Sequence, residues 1–446
     1  MKTPICDFVA SYAASDAARF HMPGHKGRSF LGCESLDITE ISGADALFEA
    51  QGIILESENN ASRLFDTAHS FYSTEGSSLC IRAMLATVTQ ACREKASQPL
   101  ILAARNAHRS FLSACALLDL RVEWLMPSKN DHLCKCTVTK ETLKAALSDL
   151  GEKPAAVYLT SPDYLGNCAD IKALASVCHA AGVPLLVDNA HGAYLQFLSP
   201  SRHPIALGAD LCCDSAHKTL PVLTGGAYLH VSKDTNAAYL SSVRRNLSLF
   251  ASTSPSYLIL QSLDLCNRYL SDGYAARLAE TVARVEKVKR ELGARGFTCE
   301  ETEPLKIVLH AAKFGYTGNE IALHLRKYGV ETEFSDGSFL VLMVTPETRE
   351  ADYERLVSAL ETLSPRAPIV EHPPVWQAPA RACSIRTACL SPSEQIPVSL
   401  ALGRVCAAAT VSCPPAVPIA ISGERISENT QSLLAYYGQD EIDVIV

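Results

Sequence analysis

The sequence predicts an α/β architecture built on a mainly parallel sheet, and three observations carry that expectation. Short apolar runs alternate along the chain with longer stretches of helical periodicity, the pattern of strands joined by right-handed crossovers. Two of the runs end in polar clusters, Asp188-Asn189-Ala190-His191-Gly192 and Ser215-Ala216-His217-Lys218-Thr219, with Asp188 thirty residues before Lys218. A third feeds Gly76-Ser77-Ser78, just before an apolar stretch of helical length. Loops at strand ends are where such folds bind and transform ligands.

The chain has 446 residues, too many for one core, which implies two or three domains. Apolar residues make up 48% and charged residues 20%, an ordinary globular balance rather than a disordered one. The net charge of −8 argues against a general nucleic-acid surface and leaves a cationic small substrate open. Residues 1–18 show no basic region followed by an apolar core, so no signal peptide is expected. No run approaches the roughly 18 apolar residues of a membrane span. The 17 cysteines are odd in number and lack C-x-x-C spacing, which suits reduced thiols in a cytoplasmic protein. Cys134-x-Cys136 and Cys212-Cys213 come nearest to a pair. Neighbours in a strand point to opposite faces, so Cys212 and Cys213 cannot serve one site.

In chain order, His21-Met22-Pro23-Gly24-His25-Lys26-Gly27 is a rigid loop, since Pro and two Gly exclude a helix. Its two histidines lack a third ligand nearby, and no metal site is expected. Residues 54–65 have helical spacing. A short strand then enters Gly76-Ser77-Ser78, and 79–91 reads as a helix. Free N–H groups, two hydroxyls and the positive helix end suit a phosphate there, while plain serine capping is the alternative. Strands are expected at 99–104, 123–126 and 155–160, with helices at 140–150 and 170–181 between and after them. Arg105-Asn106-Ala107-His108 and Ser161-Pro162-Asp163-Tyr164 are strand-end loops. The polar turn Ser252-Thr253-Ser254-Pro255-Ser256 precedes an apolar helix at 257–270, and 275–293 is a long amphipathic helix. Strands at 305–310 and 339–344 flank a helix at 319–328, and a helix at 351–363 follows. Residues 365–379 hold five prolines and read as an extended connector. The apolar, Pro-punctuated run 411–421 and Gly423-Glu424-Arg425-Ile426 come last.

Lys218 carries the chemistry. A lysine at a strand end, among Ser215, His217 and Thr219, is placed to attack a carbonyl and form a Schiff base. Its commonest partner in that role is pyridoxal phosphate, which also needs a carboxylate on its pyridinium nitrogen, and Asp188 supplies one. A solvent-facing lysine and a turn aspartate are the alternatives. His108 is placed either to lie over a cofactor ring or to face solvent.

Together these motifs resemble the bacterial-type, pyridoxal-phosphate-dependent ornithine/lysine/arginine decarboxylases. The resemblance runs nearly end to end. It rests on residues 21–27, Ser-Thr-Glu-Gly-Ser-Ser at 73–78, Arg-Asn-Ala-His-Arg-Ser at 105–110 and Leu-Thr-Ser-Pro-Asp-Tyr at 159–164. It continues through Asp-Asn-Ala-His-Gly-Ala at 188–193, Ser-Ala-His-Lys-Thr-Leu at 215–220 and Ser-Thr-Ser-Pro-Ser-Tyr at 252–257, and ends with 401–405 and 413–418. It implies fold type I of the pyridoxal-phosphate enzymes, the aspartate-aminotransferase-like fold, in a compact member without the N-terminal wing domain. The implied parts are an N-terminal arm (1–60), a large cofactor-binding domain (61–265), a small α+β domain (266–364), a Pro-rich linker (365–380) and a C-terminal domain (381–446). It implies Lys218 as the Schiff-base lysine, Asp188 on the pyridine nitrogen and His108 over the ring. Gly76, Ser77, Ser78, Ser215 and His217 would hold the phosphate, with His191 near the ring. Thr253 or Ser254 would reach the phosphate of a second subunit, so a homodimer or larger homo-oligomer is implied. Asn189 stands where the family usually has Glu, Glu75 where Asn is common, and Tyr194 where many members have His.

The implied reaction is decarboxylation of a basic amino acid in polyamine biosynthesis. Arginine giving agmatine comes first, then lysine or ornithine, with Lys218 or His217 returning a proton to Cα. An aminotransferase or lyase on the same fold is one alternative, although no arginine stands out to hold a second substrate carboxylate. A non-catalytic binding relative is another, and it would have no need of both Lys218 and Asp188.

Overall fold

The structure, a computed structural model, describes all residues except 91, 93–97, 129–132, 134, 371, 372 and 409–417. Cys134 and most of the apolar run at 411–421, including 413–417 of the C-terminal motif, therefore lie outside the described residues. The chain begins with α1 (Pro4–Ala14) and α2 (Ile53–Phe65), followed by β1 (His69–Ser73) and α3 (Gly76–Gln90). The hydroxyl-bearing residues after β1 are thus already helical rather than a separate turn. Then come β2 (Leu100–Ala104), α4 (Arg109–Leu118), β3 (Arg121–Leu125), α5 (Lys140–Asp149), β4 (Ala156–Thr160), α6 (Ile171–Ala180) and β5 (Leu185–Asp188). β6 (Leu211–Asp214), α7 (Ala216–Thr219), β7 (Ala227–Val231), α8 (Ala237–Phe250), α9 (Tyr257–Ser271) and α10 (Tyr274–Ala294) follow.

β1 to β7 form one sheet of order β1-β7-β6-β5-β4-β2-β3. β5 and β6 run parallel, while β7 is antiparallel to both β6 and β1. Every residue of β2, β5, β6 and β7 is buried. Covered on both faces, such strands read as continuous apolar runs, which is why they are visible in the sequence. β3 alternates exposed and buried residues at the sheet's end.

The chain divides into two compact units. The first holds residues 1–101, 147–159 and 170–276. In it α1 is tied to α9 by Asp264, whose carboxylate accepts the N–H groups of Ile5 and Cys6 and the hydroxyl of Ser57. α1 and α8 have no strong sequence signal and were not expected.

The second unit holds residues 102–146, 160–169 and 277–446. It contains β8 (Lys306–His310), α11 (Gly318–Lys327), β9 (Phe334–Ser335), β10 (Phe339–Met343) and α12 (Glu350–Glu361), with β10 central between antiparallel β8 and β9. Val285, Val288 and Leu292 of α10 pack with Ile307, Leu309 and Leu340 in one core. Beyond lie α13 (Ile385–Leu390), β11 (Ser393–Pro397), α14 (Glu428–Tyr436) and β12 (Glu441–Ile445), with β11 and β12 paired antiparallel. Arg105, which no solvent reaches, makes a bidentate pair with Glu424, Nη1 to Oε1 at 2.8 Å and Nη2 to Oε2 at 2.7 Å. Its guanidinium lies 5.0 Å from the ring of Trp124 and 5.4 Å from that of Trp376. These are the chain's two tryptophans.

Candidate active site

The site is built on the parallel pair β5 and β6, where Val187 lies beside Cys212 and Asp188 beside Cys213. Asp188 ends β5, only 2% exposed. Its carboxylate accepts the Tyr158 hydroxyl at 3.2 Å, the Cys213 thiol at 3.6 Å and the Ala190 N–H at 3.3 Å. Burial pushes the Cys213 thiol well up, so it stays a neutral donor beside the acid. Tyr158 and Cys213 were not singled out from the sequence, where each is one more residue of an apolar strand.

Lys218 does not sit on β6 itself. Ser215 ends the strand's run and the four-residue α7 carries Lys218 forward, half-buried, with Nζ 3.1 Å from His191 Nε2. His191 is 3% exposed and arrives on the turn after Asp188. His217 donates Nδ1–H to the Gly226 carbonyl at 3.0 Å. Burial and then the Lys218 charge push its pKa down, which keeps the ring neutral.

The Ser215 hydroxyl donates to that of Ser77 at 2.8 Å, bringing the α7 loop to the first turn of α3. Gly76 opens that turn at φ +69°, and its N–H meets the Gly225 carbonyl at 2.7 Å. A side chain on Gly225 would come within 2.8 Å of the Thr74 carbonyl, so only glycine permits this approach. A Cβ on Gly76 would meet nothing within 4 Å, which leaves open space over the helix start. Hydroxyls and a helix N-terminus facing open space make a fitting donor set for a phosphate. With the half-buried amine and the buried carboxylate, the residues present fit pyridoxal phosphate.

The remaining expected residues are placed as follows. Ser78 lies in the first turn of α3. Thr253 and Ser254 are exposed, and the Ser252 N–H before them donates to Glu75 Oε1 at 2.7 Å. His108, in the second unit, caps α4: its Nδ1 accepts the Ser110 N–H at 3.2 Å.

A second buried carboxylate escaped the sequence reading. Asp214 accepts His203 Nε2 at 3.0 Å and His230 Nε2 at 3.2 Å on Oδ2, and Asn189 Nδ2 at 2.7 Å on Oδ1. All four side chains are fully buried. Burial alone would raise this carboxyl's pKa, but the two imidazoles outweigh it and hold the group well below the usual range. His203, Asp214 and His230 have the composition of a metal site. The tautomers favour hydrogen bonds instead. His203 Nδ1 accepts the Ile205 N–H at 3.3 Å, so the ring's proton sits on Nε2 and points at Asp214. No spacing in the sequence marks this cluster, whose members come from a loop and two strands.

A family model described as "Orn/Lys/Arg decarboxylase, major domain" matches residues 3–311, and one described as "Orn/Lys/Arg decarboxylase, C-terminal domain" matches 371–441. The chain is 29% identical to an arginine decarboxylase of Halalkalibacterium halodurans, over 98% of this chain and 92% of that protein. It is 28% identical to an arginine decarboxylase of Bacillus subtilis, over 97% and 93% respectively. Among solved structures, a lysine decarboxylase of Francisella novicida superposes with a TM-score of 0.82 at 17% identity, over 100% of this chain and 81% of that one. The serine palmitoyltransferase of Sphingomonas wittichii reaches 0.54 at 16% identity, over 72% and 78%.

Proposed function

The chain belongs to the Orn/Lys/Arg decarboxylase family, and from that membership we propose that it decarboxylates arginine to agmatine with pyridoxal phosphate as cofactor. The observation that carries the reading is the pair Asp188 and Lys218, brought by neighbouring parallel strands to one end of the sheet. The preference for arginine over lysine and ornithine is supported by the relatives that span nearly the whole chain and are named arginine decarboxylases.

Bound pyridoxal phosphate supplies an electron sink for the pair left on Cα when CO₂ departs. The chain's own groups then have separable tasks. Lys218 Nζ is the amine that would bind the cofactor's carbonyl carbon, its oxygen leaving as water. His191 Nε2, 3.1 Å away, accepts a proton from the Lys218 ammonium and leaves a nucleophilic amine. Asp188, kept in place by Tyr158 and Cys213, would hold the proton on the pyridine nitrogen. Ser77, Ser78 and Ser215 would donate to the phosphate at the start of α3. Lys218 Nζ, as the ammonium, would return a proton to Cα; His217, neutral and with its Nδ1–H given to the Gly226 carbonyl, could do so only after taking up a proton on Nε2. His108 is proposed as the ring-stacking residue on its motif alone.

The Thr253–Ser254 loop is exposed and polar, and it leads into the apolar α9. It suits contact with a second copy, so we take the active unit to be at least a homodimer. The cytoplasm is the proposed compartment, in keeping with the buried reduced thiols of Cys80, Cys115, Cys178, Cys212, Cys213 and Cys266.

The deciding experiment is a CO₂ and amine assay of the purified protein on arginine, lysine and ornithine side by side. Arginine should give the highest kcat/KM, with agmatine as product. A higher value for another basic amino acid moves the substrate, and no CO₂ from any of the three sinks the reading.

A further inference from the structure

Asp188 and Asp214 end adjacent strands yet serve opposite faces of the sheet. Asp188 lies beside Cys213, and Cys213 donates to it. Asp214 shares its face with Cys212, two residues back, and Cys212 lies opposite His230. The Cys212 thiol is 3.6 Å from Asp214 Oδ1. Behind the site, then, is an ionised carboxylate held by neutral donors: two imidazoles, an amide and a thiol. Burial pushes the pKa of His230 down, so that ring brings no cation to the cluster.

The cluster's link to the site is Asn189. Its Nδ2 is 2.7 Å from Asp214 Oδ1. Its Oδ1 faces Gly192 so closely that a Cβ there would come within 2.0 Å. The Asn189 backbone is fixed as well: its N–H donates to the Cys213 carbonyl at 2.9 Å and its carbonyl accepts the Gly192 N–H at 2.7 Å. Asn189 therefore cannot rotate without moving the turn that carries Asp188 on one side and His191 on the other. Position 189 carries the amide, and the buried acid sits across the strand gap, at 214.

We propose that Asp214 is a positioning residue for the 188–192 turn, a buried carboxylate that holds Asp188 and His191 through Asn189. The proposal rests on the reading that Asp188 and Lys218 hold the cofactor.

A charge swap tests it. Asn189→Asp places two buried carboxylates face to face. Adding Asp214→Asn restores one acid and one amide across the same bond, with the new amide's oxygen still accepting both histidines. Each full-length variant is titrated with pyridoxal phosphate by absorbance at a temperature where circular dichroism shows it folded. Thermal midpoints of the cofactor-free chains are measured in parallel. Asn189→Asp should weaken cofactor binding about tenfold or more, and the double variant should return to within about threefold of wild type, as directly coupled residues do. Weakened binding without rescue overturns the proposal. So does a lower midpoint with unchanged cofactor affinity, which would make the pair merely structural. If Asn189→Asp does not fold, Asn189→Ala takes its place, and unchanged affinity there is equally fatal. Lys218→Ala and Asp188→Asn serve as controls: if both bind cofactor and turn over like wild type, the site reading has failed instead. Stoichiometric transition metal in the wild type, lost with Asp214→Asn, would make the cluster a metal centre and overturn the proposal.

Discussion

Asp188 and Asp214 are the same side chain at the ends of two paired strands, and both are buried, yet their surroundings differ in kind. Asp188 accepts a phenol, a thiol and one backbone N–H, two of them at 3.2 Å or longer and the third through sulfur. Asp214 is held by two imidazoles and an amide at 2.7 to 3.2 Å, and by a thiol as well. A carboxylate with loosely filled acceptor capacity can take a further strong donor, such as a pyridinium. A filled one can only hold what already surrounds it. On the proposed reading, the difference separates an acid for chemistry from an acid for geometry.

The contrast breaks hardest at the chemical end. Lys218→Ala should abolish turnover, and borohydride reduction with cofactor should label Lys218 and no other lysine by peptide mass mapping. Asp188→Asn should keep the cofactor but lower kcat by at least about a hundredfold, the scale of one aimed electrostatic partner. A near-normal rate would mean that another acid faces the pyridine nitrogen and that the two aspartates do not differ as argued.

An intermediate effect is expected from acid. The folded pKa of His230 is lowered by burial, so the unfolded chain binds more protons below the ordinary histidine range. Its share of stability is full above about pH 6.5 and is lost as pH falls below that. Between pH 7 and pH 6 the loss is at most about 0.7 kcal/mol for one such histidine. The lowered pKa of Asp214 acts in the same direction, but only below about pH 4. His230→Gln, which keeps a donor and removes the titration, should flatten the thermal midpoint between pH 7.5 and 5.5 relative to wild type. An unchanged slope would place the sensitivity elsewhere, with His217 next in line since its pKa is lowered too.

The smallest effect belongs to the thiols. Cys213→Ala removes one weak donor from Asp188 and should lower kcat only a few-fold, while Cys212→Ala, on the other face, should leave kcat unaltered and cost stability by less than about 1.5 kcal/mol. Steady-state rates on both variants check whether the two faces are as distinct as the strand register makes them.

Much of this was legible in the sequence where chemistry and local order coincide. Asp188 and Lys218 each follow a buried strand, and Gly76-Ser77-Ser78 opens a helix, so neighbours in sequence announced them. The expected strand at 123–126 proved to be Arg121–Leu125, because its exposed Arg121 and Glu123 hide the alternation of a sheet end. The antiparallel β7 was missed because Gly225-Gly226 reads as a loop and not as the entry to a buried strand. His203, Asp214 and His230 were invisible as a group for a different reason. Their meeting depends on a strand register and on a loop path, neither of which leaves a periodic trace.

The pairing of Arg105 with Glu424 sets a clock on the making of the protein. The two residues are 319 positions apart. At typical rates of synthesis, roughly half a minute separates their emergence from the ribosome. Through that interval the guanidinium that will be sealed between Trp124 and Trp376 must stay hydrated. The first two segments of the second unit can be assembled only provisionally, whatever their local helices and strands have already done. The last hundred residues complete a core whose earlier members, Leu133 and Tyr164, left the ribosome long before them.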